Sequence, residues 1–323
     1  MNISRNYFFL MRTVFLIVLG ILPMTSLAEN FKVGDLEYKQ ISDNEVEVAG
    51  CASDVTNISI PESITYDGKK FTVTSIGGGY FITMDGLRSV TTPTSGEILG
   101  CLGTGAFANC VSLTSVVIPN SVTSIAIGAF EACKALTSVT IPNSVKVIGM
   151  IAFSGCSSLT SVAIPNSVTF IEEATFKACK SLTSVAIPNS VTEIGSSVFE
   201  ACESLTSVDI PNSVTEIGSS AFARCKSLTS MDIPNSVTYI DQNAFDGCES
   251  LKSVIIPNSV EGIGQSTFEN CGSLKSVTIP NSVKVIGREA FAGCESLASV
   301  VIPNSVTYIG PDAFPETTRI IRK

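Results

Sequence analysis

One ten-residue pattern recurs at a fixed interval and constrains the fold more than any other feature of the chain. It first occurs at residues 113–122, as LTSVVIPNSV, and returns eight more times up to Val306. Its prolines are 23 residues apart, and the cysteines of residues 110–294 and the phenylalanines of residues 107–314 keep the same step. Fixed periods of about 20 to 50 residues are typical of solenoids, in which each unit packs only on its neighbours. The sequence therefore predicts one elongated repeat domain.

Composition argues for a folded chain and against two classes of function. Apolar residues make up 45% of the chain and charged residues 15%, which is enough apolar surface for a continuous core. The net charge is −9 and no basic stripe is visible, so binding to nucleic acid is not expected. Histidine, the commonest general acid or base near neutral pH and the commonest metal ligand, is absent. We therefore predict no enzyme activity.

The first 28 residues have the pattern of a secretory signal peptide. Arg5 and Arg12 precede an apolar run at residues 13–22, and the small residues Ser26 and Ala28 are spaced as in a cleavage site. A membrane anchor is the alternative, but about ten apolar residues are too few for the roughly 20 that a spanning helix needs. We expect cleavage after Ala28, secretion, and no membrane span in the mature chain.

Residues 29–109 depart from the regular repeat. Residues 29–51 alternate apolar and polar side chains around Asp43 and Asn44, which predicts a β-hairpin that caps the N-terminal end of the solenoid. Residues 52–109 form two degenerate repeats with insertions. The insertion at residues 66–71 contains a turn signal and predicts a small hairpin, and a second insertion lies at residues 94–105. Such insertions emerge as loops and are alternative binding sites.

From residue 110 to 314 the unit is regular and predicts a triangular coil. Leu-x-x-Val-x-Ile favours a short strand that pairs with its equivalents in neighbouring units. Proline and Asn-Ser end this strand, and Val-x-x-Ile begins a second extended segment. Asn120 and its equivalents either stack in a hydrogen-bonded ladder or start surface turns. A glycine closes the second segment, although Glu172 and Asp241 stand at that position in two units.

Two further segments have less regular patterns: the stretch between the closing glycine and the cysteine of each unit, and the C-terminal residues 315–323. The stretch from the closing glycine to the cysteine is long enough for one helical or 3-10 turn on the far side. Residues 315–323 predict a C-terminal cap strand, with Ile320 at the leucine position of the repeat. Arg319, Arg322 and Lys323 on this last strand would discourage edge-to-edge association.

The nine cysteines in register predict a ladder of buried thiols. Stacked strands lie about 4.8 Å apart, whereas a disulfide needs Cβ atoms about 3.5 to 4.5 Å apart. Without a Cys-x-x-Cys pair or a histidine, no metal site is predicted either. Cys51 and Cys101 lie outside this register, and whether they pair is open.

Candidate binding residues are those that vary between units or face outward. Phe170, Tyr239 and Tyr308 stand just before the second conserved isoleucine, three units apart, and exposed aromatic side chains favour protein contacts. Packing under a neighbouring side chain is the alternative. Carboxylates on adjacent units predict an acidic patch, as a cation site or as a solvated surface; they are Glu193, Glu200, Glu203, Asp209, Glu216 and Asp232. No catalytic or cofactor site is recognisable.

The unit Leu-Thr-Ser-Val-x-Ile-Pro-Asn-Ser-Val-Thr-x-Ile-Gly-x-x-Ala-Phe-x-x-Cys resembles the BspA-type leucine-rich repeat, over about residues 52–323. Met231 at a valine position and the missing glycines are departures. The resemblance implies a curved right-handed leucine-rich repeat solenoid, secretion or surface display, and attachment to other microbes or to host extracellular matrix proteins such as fibronectin and fibrinogen. It carries over no individual binding residue, because these repeats occur in proteins of many roles.

We therefore expect a secreted or cell-surface, non-enzymatic binding module. Its expected partners, implied by the family resemblance, are host extracellular matrix or cell-surface proteins. A structural scaffold of a surface layer is the alternative, and a hydrolase acting through the acidic units is a third interpretation. Because consecutive units differ little, a ligand that uses one unit could use several. The ligand, the binding face and the oligomeric state stay open.

Overall fold

The computed structural model describes residues 30–92 and 100–323. The predicted signal peptide and residues 94–99 of the second insertion lie outside the described residues. Within the described ranges the chain forms 25 strands and no helix. A helix with the length and apolarity of a membrane crossing is therefore also absent there. The first six strands are β1 (Phe31–Val33), β2 (Leu36–Gln40), β3 (Glu45–Cys51), β4 (Asn57–Ser59), β5 (Ser63–Tyr66) and β6 (Lys69–Ile76).

The later strands are short and recur with the sequence period. They are β7 (Ser89–Thr91), β8 (Cys101–Leu102), β9 (Ser115–Val116), β10 (Ser124–Ile125), β11 (Ser138–Thr140), β12 (Val147–Ile148), β13 (Ser161–Ala163), β14 (Phe170–Ile171), β15 (Ser184–Ala186), β16 (Glu193–Ile194), β17 (Glu216–Ile217), β18 (Tyr239–Ile240), β19 (Ser253–Ile255), β20 (Gly262–Ile263), β21 (Ser276–Thr278), β22 (Val285–Ile286), β23 (Ser299–Ile302), β24 (Tyr308–Ile309) and β25 (Arg319–Arg322).

Two hairpins form the N-terminal part of the described chain. The predicted hairpin around Asp43 and Asn44 is present as β2 and β3, and β1 adds a third antiparallel strand. Strand β3 then pairs in parallel with β6, which joins this antiparallel part to the repeat. The predicted hairpin of the first insertion is β5 paired with β6. Its turn residues Asp67 and Gly68 both have positive φ, 48° and 73°, as a tight two-residue hairpin turn requires.

Each regular unit contributes strands to two parallel faces, which confirms the predicted solenoid. The first face contains β4, β7, β9, β11, β13, β15, β19, β21, β23 and β25, and isolated bridges at Asp209 and Asp232 continue its pairing. The second face contains β6, β8, β10, β12, β14, β16, β17, β18, β20, β22 and β24. Strands pair in register between units, as Val162 does with Val139 and Val185. Residues 23 positions apart therefore lie side by side.

The third side of the coil, here called the turn side, connects each second-face strand to the next first-face strand. The predicted helical or 3-10 turn is absent among the described residues, and successive tight turns take its place. Two residues per unit have a left-handed backbone, for example Ser197 (φ 55°) and Ala201 (φ 59°). Two residues with positive φ, four positions apart, interrupt a right-handed helix. The turn is instead tied to the next unit, because Ala201 donates its N–H to Ala223 O at 2.7 Å.

The core is a set of columns of identical side chains. Ten phenylalanine contacts run from Phe81 to Phe314, with ring centroids 5.1 to 5.8 Å apart. The nine cysteines of the repeat are fully buried and free, which confirms the predicted thiol ladder. Cys51 and Cys101 are partly buried and also free. The asparagines equivalent to Asn120 are exposed, as surface turns require.

The C-terminal strand corrects one prediction about register. Ile320 does not occupy the leucine position: it pairs with Val300, at the valine position of the strand, and is 47% exposed. The reason is that β25 begins five positions after Phe314, whereas β23 begins eight positions after Phe291. The shorter connection omits the turn that carries the cysteine in regular units.

Candidate binding groove on the second face

The outward residues of the second face follow the repeat in a column that is made of three paired runs. In each two-residue strand the isoleucine points into the core, so the residue before it points outward. Strand pairing aligns these outward residues in three runs, and the 23-residue repeat continues the order from one run to the next. The runs are Ser124 and Val147; Phe170, Glu193, Glu216 and Tyr239; and Gly262, Val285 and Tyr308. Phe170 and Tyr239 are three strand spacings apart, about 14 Å at the usual 4.8 Å per strand. Two glutamates lie between these aromatic side chains.

A second column, one residue after each isoleucine, forms the floor beside the first. At Gly195 and Gly218 glycine is favoured because the backbone of the preceding unit approaches closely. A Cβ on Gly195 would lie 2.6 Å from Ile171 O, and one on Gly218 would lie 2.7 Å from the carbonyl carbon of Gly195. These two glycines leave a shallow floor, and the units on either side of them carry Glu172 and Asp241 at this position.

Together the two columns enclose a groove of about 470 Å³. Phe170 and Tyr239 stand at its two ends, and Gly195 and Gly218 lie on its floor. Five carboxylates line it, and no basic side chain of the described residues does. The five are Glu172, Glu173, Glu193, Glu216 and Asp241. None of the five forms an ion pair in the part of the chain that the structure describes. The groove is therefore aromatic at its ends and strongly negative between them.

Hydrogen bonding and burial shape the protonation of two groove residues. The Tyr239 hydroxyl donates a hydrogen bond to Asp241 Oδ1 at 3.3 Å. Partial burial raises the pKa of Tyr239, and the negative charges of Asp241 and Glu216 raise it further, so the phenol stays protonated as a donor. Partial burial also raises the pKa of Glu172.

The structure brings together only some of the predicted binding residues. Phe170, Glu193, Glu216 and Tyr239 share the groove, whereas Tyr308 lies in the same column three units beyond Tyr239. Tyr239 and Tyr308 are each 55% exposed. Phe170 is half-buried.

The predicted acidic patch is divided between the three sides of the coil. Asp209 and Asp232 are neighbours on the first face, away from Glu193 and Glu216. On the turn side, Lys177 Nζ pairs with Glu200 Oε2 at 2.9 Å, and Lys180 Nζ pairs with Glu203 Oε1 at 3.0 Å. In the described ranges no group of three or more His, Cys, Asp or Glu side chains is arranged to hold a metal ion.

Sequence reasoning missed the floor and the flanking acids of the groove. In the sequence Glu172 and Asp241 stand out only as departures from the repeat glycine, and Glu173, Gly195 and Gly218 do not stand out at all. The available signal was the position of those departures: the two units with a carboxylate in place of the glycine lie on either side of two units that carry the glycine.

Comparison with known proteins identifies the repeat. No curated protein matches the chain significantly. Among solved structures, a leucine-rich repeat protein from Bacteroides ovatus is 28% identical, covers 90% of each chain and has a TM-score of 0.60. A leucine rich cell surface protein from Faecalibacterium prausnitzii is also 28% identical, with 91% of this chain and 95% of that chain covered and a TM-score of 0.55.

A third structure and a family model agree with these matches. The T. pallidum leucine-rich repeat protein is 25% identical and covers 62% of this chain and 91% of its own, with a TM-score of 0.53. The model of the BspA type leucine-rich repeat region matches in six copies, over residues 100–229 and 215–322. Since these matches span more than half of the sequence, the chain belongs to the BspA-type leucine-rich repeat family.

Proposed function

We propose that this protein is a secreted or cell-surface, non-enzymatic module that attaches to host extracellular matrix proteins or to other cells. The column of outward residues on the second face carries the proposal. It presents Phe170, Tyr239 and Tyr308 along one line, and Tyr and Phe are among the residues enriched in protein interfaces. A line of separated aromatic side chains on a rigid support suits an extended partner surface better than a small molecule.

The extracellular location is supported by two independent points. The predicted signal peptide at residues 1–28 directs secretion. The F. prausnitzii neighbour, which covers nearly all of this chain, is described as a cell surface protein.

A non-enzymatic role is supported by the state of the thiols. Burial raises the pKa of Cys156 and of Cys202 to about 12, so neither forms a thiolate, the nucleophilic form of cysteine, near neutral pH. The nine repeat cysteines are fully buried, which also keeps substrates away from them.

A binding screen tests this proposal. The chain without its predicted signal peptide is immobilised and exposed to fibronectin, fibrinogen, mucins and a glycan array, and binding is followed by surface plasmon resonance. We expect saturable binding to at least one matrix or cell-surface protein. Immobilised bovine serum albumin serves as the control surface.

If the protein is instead a structural scaffold of a surface layer, the same screen should detect no saturable binding. A structural scaffold of a surface layer needs contacts with copies of itself or with the cell envelope, not with a host ligand. Absence of saturable binding to every probe would contradict the adhesion proposal and favour the scaffold.

A further inference from the structure

The second face holds two negative charges that the protein leaves uncompensated. Glu193 and Glu216 pair directly across the neighbouring strands β16 and β17, where equivalent side chains lie about 4.8 Å apart and like charges are destabilising. On the turn side the chain avoids this problem, because Lys177 lies one unit before Glu200 and pairs with it. Within residues 30–92 and 100–323, no lysine or arginine lines the groove beside Glu193 and Glu216. A cation from outside would remove the repulsion.

The aromatic ends of the groove suit the same kind of group. Phe170 stands next to Glu193 in the column, and Tyr239 stands next to Glu216. A cationic side chain placed between a ring face and a carboxylate gains from both, because the ring quadrupole and the carboxylate attract positive charge. Gly195 and Gly218 line the groove, and neither carries a side chain that would project into it.

We propose that this groove binds lysine or arginine side chains of an extended segment in a partner protein. This deepens the proposed function, on which it rests for the existence of a protein partner, by naming the chemistry that the partner presents. The volume of about 470 Å³ exceeds one ammonium group and falls in the usual range for ligand sites, roughly 300 to 1,000 Å³. The partner therefore supplies a short stretch of chain.

The surface beyond the groove indicates which side chains flank the basic residues in the partner. Past Tyr239 a second groove continues along the same column; Tyr239, Gly262 and Val285 line it together with the oppositely charged Glu261 and Lys284. An extended segment lying along the solenoid would place apolar side chains here. A neutral glycan would stack on the aromatic rings but would leave the carboxylates unpaired, so charge complementarity favours the basic segment.

A labelled peptide tests the groove directly. The probe is an end-blocked, fluorescein-labelled Gly-Leu-Lys-Arg-Leu-Gly peptide, and the control peptide has glutamine in place of the lysine and the arginine. Fluorescence anisotropy is measured with the chain lacking its predicted signal peptide, at low and at physiological salt. We expect saturable binding of the basic peptide and at least about tenfold weaker binding of the glutamine peptide, because the latter loses both charge-assisted contacts.

The chain offers a matched pair of variants. Glu193→Gln with Glu216→Gln removes the two central carboxylates of the five in the groove and should weaken binding of the basic peptide by about tenfold or more. Asp209→Asn with Asp232→Asn also removes two charges from adjacent units, but on the first face, and should change binding by less than about twofold since exposed distant charges are screened. Tyr239→Ala should weaken binding about threefold to tenfold through the lost cation–π contact.

Folding of the variants is checked independently. Because Glu193 and Glu216 repel each other, the double glutamine variant should unfold at the same temperature as the unmodified chain or higher, measured by circular dichroism. A clear drop in that temperature would contradict the uncompensated like-charge pair on which the proposal stands.

Three results would overturn the groove proposal. They are equal binding of the two peptides, equal loss in both double variants, and unchanged binding in the double glutamine variant. The adhesion proposal fails separately: a chain that binds the basic peptide but no matrix or cell-surface protein retains the groove and loses the proposed function. Conversely, matrix binding that persists in a chain unable to bind the peptide overturns only the groove.

Discussion

At the scale of single residues, the repeat cysteines both fill the core and link neighbouring units. Each Sγ donates to the phenylalanine carbonyl of the preceding unit, as in Cys202, whose Sγ lies 3.2 Å from Phe176 O. Cysteine is a small, largely apolar side chain with a weak donor, so it fills the core and still ties two units together. No bridge forms among the cysteines of the described residues.

The substitution Cys202→Ser tests this use of the thiol. The hydroxyl can keep the bond to Phe176 O, but a hydroxyl costs more than a thiol to remove from water, so unfolding free energy should fall by about 1 to 3 kcal/mol. The measurement is urea unfolding followed by circular dichroism, with and without reductant. Reductant itself should leave the unmodified chain unchanged; non-reducing mass mapping that finds bridged repeat cysteines would show the ladder to be wrong.

At the scale of elements, the turn side differs from the other two sides because its backbone is partly left-handed. Ala201 has a φ of 59°, which an L-residue adopts at a cost of about 1 to 2 kcal/mol, and the equivalent positions Gly155, Gly247 and Gly293 are glycine. The turns are retained because the N–H at this position bonds to the next unit in eight units, as Ala201 N does to Ala223 O. The hydrogen bonds between stacked units thereby offset the cost of the positive φ.

Ala201→Gly should therefore stabilise the protein. Glycine adopts positive φ without the Cβ clash but loses more backbone entropy on folding, and the balance favours the variant by about 0.5 to 1 kcal/mol. The control is Ala298→Gly, an exposed position without positive φ, which should destabilise by about 0.5 to 1 kcal/mol. Thermal unfolding of both variants decides the point, and a loss of stability in each would contradict the strain at Ala201.

At the scale of the whole molecule, the fold is a stack in which each unit contacts its two neighbours. Stacking of this kind makes stability roughly a sum over units, so removing whole units should leave a shorter solenoid. The two ends differ from the regular units: β1 to β3 form the antiparallel start of the described chain, and β25 pairs with β23 at its end. Deletions that spare both ends are therefore the cleanest test of where binding occurs.

Two deletions of equal length separate a local groove from a distributed surface. Removal of residues 182–227 takes out two units, including Glu193 and Glu216, and removal of residues 251–296 takes out two units beyond the groove. Both chains should fold by circular dichroism. Basic-peptide binding should be lost in the first and retained in the second, while binding to a matrix protein through many units should fall by a similar fraction in both.

The insertion at residues 66–71 provides the competing location for recognition. Replacing the β5–β6 turn with a standard connection should leave matrix binding intact if the outward column is the binding surface. Abolished binding in that variant, together with unchanged binding in both deletions, would contradict recognition by the regular units and assign it to the insertion.

Much of the fold and part of the groove can be deduced from the period alone. Equal units stacked in register must place residues 23 positions apart side by side, so Phe170, Glu193, Glu216 and Tyr239 belong to one column in any such solenoid. The same reasoning predicts the buried thiols, because a column of cysteines at strand spacing is too widely separated for bridges.

Tertiary structure decided how the columns are distributed around the coil. The period predicts which residues stack, but it does not predict the angles between the three sides of the coil. Those angles depend on the backbone dihedral angles at the turns and on hydrogen bonds between units. For this reason Glu200 lies on the turn side beside Lys177, and Asp209 lies on the first face, although both are close in sequence to Glu193. The shortened last connection likewise placed Ile320 beside Val300, since pairing follows backbone geometry where the repeat is incomplete.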